Sequence, residues 1–356
     1  MTRPSVAAAL AAALISLRLS LAQPPKGKDK KVWPADALNP DKIGGKELAD
    51  AGDGDPNKAP VELVAVQTGV PQKGYRCAAF SPDGKYLVMG TTDGKIVAWD
   101  LRAGTLASAN VHKGSVLDIK FNPNGKTYAT SSSLGKVAVR SMTGGGRDLP
   151  GKDGGSPVIA FSPDGKSIAI GFDNVLRLQN FIDPTKAVGL QDADFDVTAV
   201  AFSADGKWLA AGSREQADGR VWVWDAATGK TASQLEMKGY WVKSLDFRPD
   251  GTMVAGSQGY GKHINLWNPT TGKLVRKLEQ HTKMVNQVAF TPSGDRLISC
   301  GDDQTVRVWN PDTGAIIKTI PLGLTGRLNW LAVAPDGRHV AVVHSKGMVY
   351  VLRLAD

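Results

Sequence analysis

Between about Val61 and Leu354 the chain is written in short apolar runs of four to six residues separated by turn residues, and helical periodicity is absent. The runs come in a fixed order. The first is apolar, as in Val285-Asn-Gln-Val-Ala-Phe290, and ends at a tight turn. The second is small and apolar, as in Tyr86-Leu-Val-Met-Gly90 or Trp208-Leu-Ala-Ala-Gly212. A third follows another tight turn and alternates, as in Thr305-Val-Arg-Val-Trp309, with the β-branched and aromatic residues that suit a half-buried pleated surface. These patterns predict hairpin-linked strands and an all-β fold.

The turn between the first two runs is one phrase repeated seven times: Phe80-Ser-Pro-Asp-Gly84, Phe121-Asn-Pro-Asn-Gly125, Phe161-Ser-Pro-Asp-Gly165, Phe202-Ser-Ala-Asp-Gly206, Phe247-Arg-Pro-Asp-Gly251, Phe290-Thr-Pro-Ser-Gly294 and Val333-Ala-Pro-Asp-Gly337. Proline presets φ at the second turn position, Asp or Asn closes a side-chain-to-backbone bond, and glycine accepts the positive φ that ends the turn. Successive copies begin 41, 40, 41, 45, 43 and 43 residues apart, the period of a four-stranded propeller blade. Seven phrases predict seven blades.

At these residues the chain resembles the WD-repeat family, over about Val61 to Leu354. Trp99-Asp100 and Trp224-Asp225 carry the dipeptide that names the family, and Trp267-Asn268 and Trp309-Asn310 are near matches. The resemblance implies a seven-bladed β-propeller of four-stranded antiparallel blades, each buried against its neighbours. The last copy ends with its third strand, Met348 to Leu354, and so lacks an outer one. Members of the family close the ring with a segment from before the first copy, here Val61-Glu-Leu-Val-Ala-Val-Gln67. Such a pairing removes two exposed edges.

Ahead of the repeats two further segments are expected. Residues 1–22 read as a signal peptide, with Arg3, an apolar stretch from Val6 to Leu17, and a Ser20-Leu21-Ala22 cleavage site that leaves Gln23 first. The stretch is shorter than the roughly 20 residues of a spanning helix, so a cleaved signal is preferred over an anchor and stable membrane insertion is not expected. Residues 23–60 are rich in Lys, Asp, Gly and Pro and read as a flexible leader. Residues 61–356 form the propeller domain.

The formal charge of +9 falls to +7 for the folded part, because Arg3 and Arg18 leave with the signal and the leader's charges cancel. Lys85, Lys126, Lys166 and Lys207 occupy equivalent turns and spread around a ring, without the clustering that nucleic-acid binding needs. Two cysteines, Cys77 and Cys300, in different repeats, read as buried free thiols rather than a disulfide framework.

The sixth repeat matches the family's structural tetrad in His281, Ser299, Asp303 and Trp309. The resemblance implies a buried hydrogen-bond chain to the indole nitrogen rather than a nucleophile triad, since no strained elbow accompanies the serine. The second repeat keeps His112 but has Leu134 and Arg140 in place of the Asp and Trp, and the third has Gln179 in place of the Trp. Gly146-Arg-Asp-Leu-Pro-Gly151-Lys152 lacks the Ser or Thr and the helix of a phosphate loop, and reads as a connection between blades. Asp192, Asp194 and Asp196 lack the glycine and distal Glu of a calcium loop. The five histidines show no metal-ligand spacing. No cofactor, metal or catalytic residue is expected.

The resemblance implies binding across the narrower face, at the connections leading into each first strand. There the residues change character around the ring. Lys113, Gly114, Ser115, Gly154 and Gly155 are polar or small, whereas Tyr240, Trp241 and Lys243, then Lys283, Met284 and Asn286, then Arg327 and Asn329, then Tyr75 and Arg76 are aromatic, basic, amide or, at Met284, a large thioether. Aromatic and Arg residues dominate interface hot spots, so these ten form the candidate contact set. Trp330 is weighed separately, as a ring wedged between blades. The expected function is a non-enzymatic interaction scaffold, a monomer acting outside the cytoplasm on a protein or peptide of acidic character. The alternative is an exported propeller enzyme or small-ligand binder with its site in the central channel.

Overall fold

The computed structural model describes residues 46–47, 62–68 and 74–354, apart from 150–153, 181–182, 184–186, 194, 215–217, 239–240 and 323–325. The expected signal peptide and almost all of the leader lie outside the described residues.

The repeated phrase does what its residues dictate. Gly84, Gly125, Gly165, Gly206, Gly251, Gly294 and Gly337 all stand at φ between +67° and +73°. Each donates its N–H to the carbonyl three residues back, as Gly84 does to Ser81 at 2.8 Å. Asp83 then accepts the N–H of Lys85 at 3.1 Å, and Asn124, Asp164, Asp205, Asp250 and Asp336 repeat the bond. In the sixth copy Ser293 replaces the acid. Asp295, just past the glycine, takes over by accepting the Thr291 hydroxyl at 2.8 Å.

These hairpins extend into seven antiparallel meanders, and no helix occurs among the described residues. The innermost strands are Tyr75–Phe80, Val116–Phe121, Val158–Phe161, Val197–Phe202, Val242–Phe247, Val285–Phe290 and Leu328–Val333, which define blades 1 to 7. Each touches the innermost strand of the next blade, and the seventh touches the first, so the ring is closed. Blade 7 obtains its outer strand from Glu62–Thr68, which runs antiparallel to Met348–Arg353 with Glu62 opposite Arg353. Lys46–Glu47 pairs on its far side. One expectation fails locally. Gly146–Leu149 is the outer strand of blade 2, paired with Val137–Arg140, rather than a connection; its backbone completes the sheet despite the glycine.

The core lies between blades rather than within them. Among the described residues the buried apolar side chains sort into seven clusters, each shared by two adjacent blades, including one that joins Val349 and Val351 of blade 7 to Tyr75 and Trp99 of blade 1. The small residues of the second strands permit this. A Cβ on Gly212 would lie 2.3 Å from Val242 of the next blade, and one on Gly171 would lie 2.4 Å from Val197. Burying one such valine contributes about 1.5–3 kcal/mol, and neither blade gains it alone.

Deleting residues 61–70 leaves the third strand of blade 7 as an open edge. The expected result is a fall of about 10 °C in the thermal midpoint of the full ring; an unchanged midpoint would show that the strand does not close it.

Candidate functional site

The seven innermost strands surround a central cavity of about 520 Å³. In six of the seven strands the pairing register shifts at the second residue, a bulge that turns it away from its buried neighbour. First positions point between blades and are buried: Tyr75, Val116, Val197, Val242, Val285 and Leu328. Second positions line the cavity: Arg76, Leu117, Thr198, Lys243, Asn286 and Asn329, and Pro157, just ahead of the shorter strand, takes the corresponding place in blade 3.

Two of the hydrogen-bonding groups in this ring are used by the fold. The Thr198 hydroxyl donates to Val242 O at 2.6 Å, tying blade 4 to blade 5. The Asn286 amide donates to Asp302 Oδ1 at 2.7 Å and to Leu328 O at 2.9 Å, tying blade 6 to blade 7. Arg76, Lys243 and Asn329 have no hydrogen bond or ion pair among the described residues. Burial pushes the Lys243 pKa down, the Arg76 charge adds to the effect, and Asp302 opposes it.

Deeper in the channel lies a second charged group. Lys120 Nζ stands 3.5 Å from Asp118 Oδ1 and 5.4 Å over the ring of Trp330. Burial raises the pKa of Asp118. Burial also pushes Asp246 up to about 6, against the Phe290 N–H it accepts at 2.7 Å and the charge of Lys120. Trp330 donates its indole N–H to Ala78 O at 2.9 Å, so it bridges blade 7 to blade 1 as a half-buried wedge.

On the rim, Trp241 meets Tyr260 edge-on, with ring centroids 4.5 Å apart and planes at 76°. The Arg214 guanidinium sits 5.7 Å from the Trp241 ring and pairs with Asp196 at 3.4 Å. Tyr260 is 70% exposed, at φ +60°, and its N–H donates to Met284 Sδ at 3.1 Å. Lys283 is exposed nearby in the chain, and Arg327 approaches Asp302 at 3.8 Å.

The ten candidate contact residues therefore separate. Arg76, Lys243 and Asn329 line the same cavity, and Trp241 lines it with them. Met284 supports Tyr260, while Lys283 and Arg327 stand outside the cavity lining. Tyr75 is only 4% exposed and packs in the core between blades 7 and 1, because a first position faces the neighbouring blade. Asn286 is 5% exposed with both amide hydrogens engaged. Tyr240 lies outside the described residues. Sequence reasoning passed over Tyr260, Lys120 and Asp246. Signals existed: Tyr260 stands between two glycines in a turn, and the fifth position of the first strand is alanine in five repeats (Ala79, Ala160, Ala201, Ala289, Ala332) but Lys120 and Asp246 in the other two.

The four tetrad residues come together in blade 6. Trp309 Nε1–H donates to Ser299 Oγ at 2.8 Å, and Ser299 Oγ lies 2.7 Å from His281 Nε2. His281 Nδ1 lies 2.8 Å from Asp303 Oδ2, which also accepts the Thr282 N–H. Burial pushes the His281 pKa down, against the pull of Asp303, so the neutral ring carries its proton on Nδ1 and accepts the serine hydroxyl at Nε2. Burial works against the Asp303 carboxylate, but its hydrogen bonds together outweigh this and hold it below the usual range. Ser299 is fully buried and already accepts an indole N–H, an arrangement that binds strands and gives a substrate no access. In blade 2, His112 reaches only Thr130, at 2.8 Å, and Arg140 turns outward to Asp148. Cys77 and Cys300 are buried free thiols, each facing a carbonyl of the next blade.

The family model "WD domain, G-beta repeat" matches residues 66–100, 105–139, 189–225, 231–268 and 272–310. Similar proteins include "Telomerase protein component 1" of Rattus norvegicus, 28% identical over 53% of this chain and 7% of that protein. "WD repeat-containing protein SL1-17" of Schistosoma mansoni is 27% identical over 48% of this chain and 58% of that protein. "Pre-mRNA-processing factor 19" of Oryza sativa subsp. japonica is 28% identical over 43% of this chain and 31% of that protein. The matched region thus spans less than two thirds of each relative.

Two substitutions test the energetics. Ser299→Ala strands the Trp309 N–H and His281 Nε2 in a buried site, and is expected to cost about 3 kcal/mol in denaturant unfolding. Asp246 titrates in the opposite sense to a salt-bridged acid. Its folded pKa of about 6 lies above the ordinary 3.8, so the folded state holds its proton more tightly; that contribution is full below about pH 4 and is lost as pH rises through 6. Asp246→Asn should therefore raise the thermal midpoint at pH 7.5, by the equivalent of up to about 3 kcal/mol, with the gain shrinking to almost nothing near pH 3, below both pKa values.

Proposed function

The chain belongs to the WD-repeat family, and on that premise we propose that it is a non-enzymatic scaffold, a monomer that holds one face of a rigid ring against a protein or peptide of acidic character outside the cytoplasm. The observation that carries this reading is the ledge formed by Trp241, Tyr260 and Met284 beside the unpaired cations Arg76 and Lys243. A tyrosine held at positive φ and 70% exposed costs the fold on the order of 1–3 kcal/mol in backbone strain. Exposed aromatics beside cations are the composition of interface hot spots. Lys283 and Arg327 extend the positive character around blades 6 and 7. Action outside the cytoplasm is supported by the signal-like composition of residues 1–22.

One observation favours a second reading. The cavity of about 520 Å³ falls within the roughly 300–1,000 Å³ typical of small-molecule sites, and Lys120 lines it beside Asp118. A small-ligand binder would use that space and leave the rim idle.

The test is crosslinking in the native organism with a C-terminally tagged chain, followed by recovery from the envelope and the medium. Expected are a mature chain beginning at Gln23 and a captured protein whose recovery falls about tenfold when Trp241 and Arg327 are both replaced by alanine, the loss of one hot spot's worth of binding energy. Undiminished recovery would overturn the rim as the contact surface, and a chain found only in the cytoplasm with residues 1–22 intact would overturn export.

A further inference from the structure

The mouth ring supplies one residue per blade, and its chemistry is lopsided. Leu117 and Pro157 have no side-chain donor, and Thr198 and Asn286 spend theirs between blades. What is left is Arg76, Lys243 and Asn329, three donors on blades 1, 5 and 7 aimed into one cavity with no acid among the seven ring positions. Nearby acids are already engaged. Asp196 pairs with Arg214 at 3.4 Å, and Asp302 accepts from Asn286 at 2.7 Å and faces Arg327 at 3.8 Å. Asp173 lines the cavity from blade 3.

Arg76 and Lys243 line one cavity, and the Arg76 charge disfavours that of Lys243 while Asp302, already bonded to Asn286, only partly offsets it. Folding gains nothing from that arrangement. Two cations sharing a partly desolvated mouth become favourable only when an anion sits between them, and hydrogen bonds from charged donors to a carboxylate are among the strongest available to a protein. A singly charged group matches this place better than a phosphate dianion, because Asp196, Asp302 and Asp173 stand around it and repel excess negative charge.

We propose that the channel mouth is a carboxylate subsite formed by Arg76, Lys243 and Asn329, and that it receives a Glu or Asp side chain from a partner segment lying across the Trp241–Tyr260 ledge. Trp241 precedes Lys243 by two residues on the same strand approach and lines the same cavity, so a segment resting on the ledge has its neighbouring side chain above the cations. This inference rests on the scaffold reading and names the chemistry at its centre.

The experiment uses the full chain and three short peptides at low salt, where screening is weakest: acetyl-Phe-Gly-Glu-Gly-amide, its Gln counterpart, and the Gln peptide with a free terminal carboxylate. Calorimetric titration should give a Kd for the Glu peptide at least tenfold below that of the Gln amide. Arg76→Ala and Lys243→Met should each abolish most of that difference, while Arg102→Ala, on an exposed turn away from the channel, should leave it intact. Variants are compared only where circular dichroism and thermal midpoint match the parent, and Arg76→Lys should recover part of the binding. Equal binding of the Glu and Gln amides, absence of binding by all three peptides, or indifference to Arg76 and Lys243 would overturn the subsite. Binding of the free-carboxylate Gln peptide as tight as that of the Glu peptide would overturn the side-chain assignment in favour of a chain terminus. A lost crosslink partner marks failure of the scaffold reading, whereas indifference to Glu versus Gln marks failure of the subsite alone.

Discussion

In six of the seven innermost strands the first residue is buried in the seam with the blade before it. Val242 presses against the backbone of Gly212, and Val197 against Gly171, at separations where no side chain could stand. Because the apolar clusters all lie at such seams, a single blade has almost no core of its own. Stability is a property of neighbours, and in a ring every blade needs two. The strand Glu62–Thr68 matters for the same reason: it ties an N-terminal segment to the last blade, so the seam between blades 7 and 1 is held by chain from both ends of the domain.

The seam also decides what the channel can do. The bulge that leaves first positions in the seam turns second positions into the channel, where packing selects their type less. That freedom appears as Arg, Leu, Pro, Thr, Lys, Asn and Asn in seven equivalent places. In the six strands of six residues, buried position one is Tyr, Val or Leu, whereas position two changes charge and polarity from blade to blade. Charges such as Lys120, Asp118 and Asp246 lie deeper, where burial raises the pKa of both acids and Lys120 partly compensates.

Most of the fold was legible in the chain because turn chemistry is local. Proline, Asp or Asn and Gly at fixed offsets require the same hairpin wherever they occur, and all seven glycines stand at the required φ. The closing strand was legible because the final repeat stops one strand short. The site was only partly legible. Tyr75 and Arg76 are adjacent in sequence and were grouped by composition, yet one faces the seam and the other the channel; a register shift at Arg76 separates them, and composition carries no sign of it. Asn286 looked like a contact residue until its partners, Asp302 and Leu328 O, placed it in a seam. Tyr260 escaped notice because its turn belongs to no repeated phrase, and its contact with Trp241 joins residues 19 apart.

The serine, histidine and aspartate of blade 6 show why position outweighs residue type. Their spacing and hydrogen bonds resemble a nucleophilic relay, but the chain continues through Ser299 to the Trp309 indole in a fully buried place. An indole N–H donated to the serine oxygen occupies an acceptor lone pair of the would-be nucleophile, and burial keeps the imidazole neutral. The same polar groups turned toward the channel would be chemistry; turned into a blade they hold three strands in register. At the mouth the logic runs the other way. Arg76 and Lys243 hold nothing together, repel one another and face water. Groups that the fold does not use, kept where the fold leaves them accessible, are where interactions with other molecules have to be sought.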